Sequence, residues 1–171
     1  MPKQFDIDED SDLDGVDSAT ENSLNGPRVT NLIAALLAGG IPQNPQRYQT
    51  FLEVVRCVRK WAKARGLYSN KMGYWGGVNI NIAVTLVVQL HPHDCTANLL
   101  RKFFLVFKSW RWPNPIMLTK PHDAGLGLAV WNAHHVNHLK QVAPVITPAY
   151  PAMNSTLSVS RQTLQILHED F

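Results

Sequence analysis

The chain has 171 residues, 45% of them hydrophobic, which is enough for one domain with a buried core. Its most apolar stretch, residues 82–90, is far shorter than the roughly 20 residues of a membrane-spanning helix, so we expect no membrane span. Its two cysteines, Cys57 and Cys95, are too few for a disulfide framework and favour a reducing, nuclear or cytoplasmic compartment. The net charge is +3, but residues 1–21 hold eight acidic side chains and one lysine, which leaves +10 on residues 22–171.

That basic body suits a polyanionic partner such as RNA or a nucleoside triphosphate, and equally suits a solvated surface balanced by its own acidic segment. Residues 1–21 are poor in large apolar side chains, so we expect an extended or poorly ordered acidic arm and not a packed element. The first predicted helix covers residues 27–38, because Pro27 suits a first turn and Gly39-Gly40 suits a helix end.

The second predicted helix begins near Asn44-Pro45 and ends before Gly66. Its apolar residues recur at helical spacing, which predicts one face buried in the core: Phe51, Val54, Val55, Val58 and Trp61. Its cations gather on the other side: Arg56, Arg59, Lys60 and Lys63. The pattern therefore predicts an amphipathic helix with a cationic face.

A glycine-rich link over residues 71–78 precedes a third, almost wholly apolar helix that extends to about Leu90. A fourth follows from about Thr96 to Trp110 and ends at the prolines of residues 112–115. Residues 113–157 show no sustained period and predict a long irregular connection. A last helix covers about residues 158–169. The sequence thus predicts an all-α bundle of about five helices with one long irregular segment.

The chemistry-bearing residues concentrate in residues 59–78. Cations occupy one helix face, Tyr68 and Asn70 follow the helix, and three glycines come next, where a ligand could approach the backbone closely. These are the parts of a nucleotide site: cations bind phosphates, a hydroxyl and an amide form oriented hydrogen bonds, and bare backbone lies beside the base. The spacing alone also fits a solvated cationic helix followed by a glycine turn.

Six short runs, in one order along the chain, closely resemble eukaryotic nuclear poly(A) polymerases. They are SLNGPRVT (23–30), WAK (61–63) with YSN (68–70), GGV (76–78), KFFLVF (102–107), WRWPNP (110–115) and PVITPAYP (144–151). In that family a nucleotidyltransferase domain with three metal-binding aspartates comes first, a helical central domain closes over ATP, and an RNA-binding domain follows. This chain resembles the central domain, assigned here to residues 22–171, and neither of the other two.

The resemblance implies that Tyr68 and Asn70 contact ATP and that Gly77 and Val78 border its base or ribose. The family's phosphate-binding lysine falls at Arg59, with Lys60 beside it. Arginine keeps the positive charge but replaces a compact ammonium with a planar fork, so the phosphate geometry should differ.

The resemblance also implies a nuclear parent enzyme that adds AMP from ATP to RNA 3′ ends. Its Mg²⁺ or Mn²⁺ would sit on the aspartates of the other domain, and its partners would be the RNA 3′ end, the two other domains and polyadenylation factors. We therefore expect this chain to hold no catalytic residue and to be inactive alone. The alternative is a noncatalytic helical module that binds protein.

Two groups of residues imitate metal sites. Asp6 and Asp8 have the spacing of a two-metal carboxylate pair, but the family's pair follows a Gly-Ser turn in the earlier domain, so these two should belong to the acidic arm. The histidines and Cys95 lack the two well-spaced ligand pairs of a structural zinc site, whether in the run His91, His93, Cys95 or in the pair His134 and His138. We predict no metal site.

Overall fold

The computed structural model describes residues 6–39 and 46–171, and in these ranges the chain forms six α-helices and no β-strand. The helices are α1 (Ser18–Ala38), α2 (Gln46–Ala64), α3 (Gly77–Leu90), α4 (Thr96–Lys108), α5 (Val136–Leu139) and α6 (Arg161–Asp170). The all-α bundle is thus confirmed, with the four-residue α5 added to the five predicted helices. The first five residues of the acidic arm, Gly40 and the predicted helix start at Asn44-Pro45 lie outside the described residues. Within the described ranges no helix is both long and apolar enough to cross a bilayer.

The predicted start of the first helix at Pro27 is wrong, because α1 begins nine residues earlier and crosses the expected arm boundary at residue 21. Asp17 caps α1, its Oδ1 accepting hydrogen bonds from the backbone N–H groups of Ala19 (2.9 Å) and Thr20 (3.0 Å). Pro27 lies inside the helix and removes one backbone donor. The first turns of α1 are capped and contain alanine and serine, and its second half is buried. Together these features stabilise the helix by more than the missing hydrogen bond costs.

Residues 6–13 of the acidic segment also fold back onto the body, contrary to the extended or poorly ordered arm expected. A short 3-10 turn, Asp10–Leu13, buries Leu13 to 3% exposure. Asp10 pairs with Arg28 of α1, and His122 Nε2 lies 2.8 Å from Asp10 Oδ2. Asn31 donates its side-chain amide to the Asp8 carboxylate at 3.0 and 3.2 Å. We call Asp8, Asp10, Arg28, Asn31 and His122 the amino-terminal clamp.

The core lies between α2, α3 and α4. Helix α2 packs against α1, α3 and α4, and its Val54 and Val58 are fully buried. Helix α3 buries eight of its 14 residues, as its continuous apolar sequence predicts. At about 1.5–3 kcal/mol for each large apolar side chain removed from water, this three-helix contact is the main stabilising element.

The irregular connection predicted over residues 113–157 is confirmed in character, with only α5 as regular structure. It is tied by backbone hydrogen bonds, such as Ile116 N–H to Pro144 O (2.9 Å) and Ile146 N–H to Ile116 O (2.9 Å). Asn154 Oδ1 accepts from the N–H groups of Val145 (3.1 Å) and Thr156 (3.0 Å). The segment is therefore a pinned layer over the bundle, not a loose loop.

Candidate functional site

Residues 65–76 connect α2 to α3, and we call residues 59–81 the α2–α3 corner. Gly66 takes a positive φ of 72° after α2, and Ser69 takes a φ of 117°, which is strained for a residue with a side chain. Ser69 N–H donates to Trp75 O at 3.2 Å, and Ser69 O accepts from Tyr74 N–H at 3.1 Å. This closed turn fixes Tyr68 and Asn70 on either side of Ser69.

Trp75 anchors the turn in the core. Its side chain is 2% exposed, and its ring meets Phe103 and Phe107 of α4 edge to face, with centroids 6.4 and 5.2 Å apart. Edge-to-face contacts of this kind add about 0.5–1.5 kcal/mol each beyond the area they bury. The corner is therefore anchored by aromatic contacts in the core beside α4.

Arg59 and Tyr68 converge on the first residue of α3. A methyl group at Gly77 would lie 3.2 Å from Arg59 Nη2 and 3.3 Å from Tyr68 Oη, closer than an ordinary contact, so these side-chain ends would have to shift by a few tenths of an ångström. Arg59 Nη2 donates to Gly77 O (3.3 Å) and to Asn81 Oδ1 (2.9 Å). The structure thus brings together three of the six residues that the sequence proposed for the site.

The electrostatics of this cluster favour an anion. Both partners of Arg59 are uncharged, and its buried Nε has no protein partner. The amino terminus of α3 carries partial positive charge from its unpaired N–H groups. Lys63 adds a third positive group, its Nζ lying 5.1 Å from the centroid of the Tyr68 ring.

Asn70 lies beside Gly76, the residue before Gly77. A methyl at Gly76 would lie 3.4 Å from the Asn70 amide. Asn70 Nδ2 donates to Ser155 O at 3.2 Å, while its buried Oδ1 has no partner. The amide is oriented by the irregular segment and keeps an unused acceptor.

Val78 and Lys60 differ from these four residues. Val78 is half-buried and packs against the core, as the second residue of α3. Lys60 is exposed, and no hydrogen bond or ion pair joins it to the residues described. The structure places Lys60 next to the cluster in sequence without bringing its side chain into it.

Three residues of the corner and its support were not among the sequence candidates. Asn81 contacts Arg59 directly, and its only sequence signal is a polar residue between the buried Ile80 and Ile82. Asn79 accepts from Gly76 N–H (2.7 Å) and donates to Ser155 Oγ (2.6 Å). Ser155 is 76 residues away from Asn79, so no local pattern could have revealed it.

The residues that imitate metal sites do not converge. Among residues 6–39 and 46–171, no cluster of three or more His, Cys, Asp or Glu side chains has the spacing to hold a metal ion. Asp6 and Asp8 are exposed, and Asp6 Oδ1 accepts the backbone N–H of Asp8 at 3.0 Å. Cys57 and Cys95 are both free thiols.

Comparison with known proteins decides the family. The family model described as the poly(A) polymerase central domain matches residues 50–171, which include the whole α2–α3 corner. The chain belongs to the poly(A) polymerase central domain family. The resemblance inferred from the six runs is confirmed.

Three poly(A) polymerases of Arabidopsis thaliana are similar over the full length of this chain. Nuclear poly(A) polymerase 1 is 42% identical, nuclear poly(A) polymerase 4 is 41% identical and nuclear poly(A) polymerase 2 is 40% identical, each alignment covering 100% of the chain. The chain spans 23%, 22% and 20% of their respective lengths. The match therefore concerns one part of much longer poly(A) polymerases.

Proposed function

We propose that this chain forms one wall of the ATP site of a nuclear poly(A) polymerase, which adds AMP from ATP to RNA 3′ ends. The observation that carries the proposal is the convergence of Arg59 and Tyr68 on Gly77, at the amino terminus of α3. Membership of the poly(A) polymerase central domain family and three relatives named as nuclear poly(A) polymerases support it.

Arg59 would bind the triphosphate. Its Nη2 is committed to Gly77 O and Asn81 Oδ1, while its other N–H groups have no partner among the residues described. A guanidinium donates several N–H groups in one plane, so the two bonds of Nη2 fix that plane and Nη1 would donate to phosphate oxygens. Lys60 would add long-range positive charge from the neighbouring surface, and Tyr68 Oη would donate a hydrogen bond.

The nucleoside would lie along the glycines. Gly77, beside Arg59 Nη2 and Tyr68 Oη, and Val78, a half-buried apolar residue, would border the base or ribose. The unused Asn70 Oδ1 would accept a hydrogen bond from the nucleoside. These contacts position ATP and neutralise charge without moving a proton, which suits a reaction governed by alignment and electrostatics.

The remaining parts of the reaction belong to other segments of the parent enzyme. Mg²⁺ or Mn²⁺, held by aspartates of a catalytic domain, would activate the terminal hydroxyl and stabilise the leaving pyrophosphate. The RNA 3′ end, an RNA-binding domain and polyadenylation factors would be partners. The 171 residues alone, incubated with ATP, Mg²⁺ and a short RNA, are expected to leave the RNA unextended. Extension of the RNA would contradict this division of labour.

Arg59→Ala in the natural polypeptide that carries these residues tests the proposal. Loss of a charge-assisted contact of about 1.5–3 kcal/mol should raise the KM for ATP by roughly 10- to 100-fold in an AMP-incorporation assay. Arg56→Ala is the matched control, since Arg56 is an exposed arginine on the same helix. Equal KM values for the two variants would reject an ATP contact at Arg59.

A further inference from the structure

We propose that Asn81 is a positioning residue that orients Arg59 for the triphosphate, an inference that rests on the proposed function. Asn81 lies on α3 one helical turn after Gly77, and its Oδ1 accepts from Arg59 Nη2 at 2.9 Å. Gly77 O, at 3.3 Å from the same nitrogen, is the second point of attachment. One nitrogen of an α2 side chain is thus held at two points on α3.

The sequence position of Asn81 supports a specific role. Asn81 stands in a helix whose neighbouring side chains, Ile80 and Ile82, are 1% and 0% exposed. Asparagine is a weak helix former, and Asn81 itself is half-buried, so part of its amide is withdrawn from water and needs a hydrogen-bond partner. Its side-chain oxygen is used for Arg59, so the polar residue at this point of α3 serves the arginine.

The chemical nature of Asn81 fits orientation without neutralisation. An amide oxygen accepts a hydrogen bond from the guanidinium and leaves the full positive charge of the guanidinium for the ligand. A carboxylate would cancel that charge. Orientation matters for arginine because its donors lie in a rigid plane at the end of a flexible stem. A lysine ammonium is a point charge with freely rotating donors and gains little from such an anchor. Asn81 should therefore matter when residue 59 is arginine and matter little when it is lysine.

A double-mutant cycle in the natural polypeptide tests this dependence. Asn81→Ala should raise the KM for ATP about three- to tenfold with kcat nearly unchanged, because the arginine still binds but in fewer productive orientations. In an Arg59→Lys background, the same Asn81→Ala change should alter the KM less than about twofold. Gln89→Ala, which removes an exposed amide near the end of the same helix, is the matched control and should change neither constant.

A second variant covers the case in which Asn81→Ala does not fold. Asn81→Gln keeps the amide but displaces its oxygen by one methylene, and it should give the same rise in KM with the same background dependence. A KM rise of equal size in the arginine and lysine backgrounds, or no rise in either, would overturn the positioning role. If Arg59→Ala raises the KM while Asn81 variants do not, the proposed ATP site stands and this inference fails. If Arg59→Ala has no effect, both fail.

Discussion

Two arginines that bridge distant parts of the chain show how differently a cation can be used. In the amino-terminal clamp, the side chain of Arg28 is 5% exposed and faces the carboxylate of Asp10. In the α2–α3 corner, Arg59 faces a backbone carbonyl and an amide, with the positive end of α3 beside it. The charge of Arg28 is compensated inside the protein, and its role is structural. The charge of Arg59 is not compensated by its partners, so it is available to an anionic ligand.

Arg28→Ala should have the largest effect on stability, and it tests the structural half of this contrast. Removing one partner of a largely buried pair leaves Asp10 without its cation, which should lower the free energy of unfolding by roughly 2–3 kcal/mol, discounted because Asp10 is 32% exposed. Chemical denaturation measures the change, and ATP kinetics of the folded variant should remain normal. An unchanged unfolding free energy would mean that the clamp contributes no stability.

Gly73→Ala should destabilise the turn that carries the corner. Gly73 has a φ of 79°, and an added methyl would lie 3.0 Å from Thr163 Cγ2 and 3.2 Å from Ser158 O. Strain and steric overlap together should cost about 2 kcal/mol in thermal or chemical unfolding. Gly125→Ala is a matched control, since Gly125 has a φ of 77° but nothing within 4 Å, and it should cost only about 1 kcal/mol for the backbone strain. Equal losses would show that the contact with α6 is irrelevant.

Gly77→Ala should change ligand affinity and leave stability nearly intact. The methyl would press on Arg59 Nη2 and Tyr68 Oη at 3.2 and 3.3 Å, so both groups must shift from their present positions. We expect a rise of about three- to tenfold in the KM for ATP, equivalent to about 1 kcal/mol. Gly26→Ala, in α1 with nothing within 4 Å, is the control and should leave the KM unchanged. A normal KM in Gly77→Ala would place the nucleotide elsewhere.

Acidification should have the smallest effect, through the cap of α1. Hydrogen bonds from Thr20 N–H, then Thr20 Oγ1, lower the pKa of Asp17 in the folded chain. Because the folded pKa lies below the unfolded one, the cap stabilises fully above about pH 4 and loses its contribution as the pH falls through the folded value. Asp17→Asn caps without titrating, so its stability relative to the wild type should rise on acidification. A pH-independent difference between the two would contradict this account.

The bundle was accessible from sequence because its signals are local. The apolar spacing in α2, the continuous apolar run of α3 and the prolines after α4 each predict an element within a few residues of its observed ends. The start of α1 was missed because Gly26-Pro27 resembles a helix boundary, whereas the decisive cap is Asp17, inside a segment whose composition suggests an arm. The pairing of Asp10 with His122 spans 112 residues, and no local pattern carries it.

The candidate site was likewise predictable from sequence only where its residues are close together in the chain. Arg59, Tyr68 and Gly77 come together because a helix exit and a short turn bring them there, which the cation, aromatic and glycine pattern of residues 59–78 anticipates. Asn81 was hidden in an apolar run that predicts burial. Whether Lys60 contributes cannot be read from its helix position, since neighbours on one helix face can end up at different distances from a site.

Ser155 gives the corner a property that the helices alone would not provide. Its carbonyl oxygen receives the side-chain amides of Asn70 and Asn79, both at 3.2 Å, and its hydroxyl donates to Val145 O at 2.7 Å. The α2–α3 corner and the irregular segment near Val145 are thereby joined at one residue. Each should limit the thermal motion of the other. A wall stiffened before its ligand arrives loses less conformational entropy on binding, so in the proposed ATP site the irregular segment would contribute to affinity without touching the nucleotide.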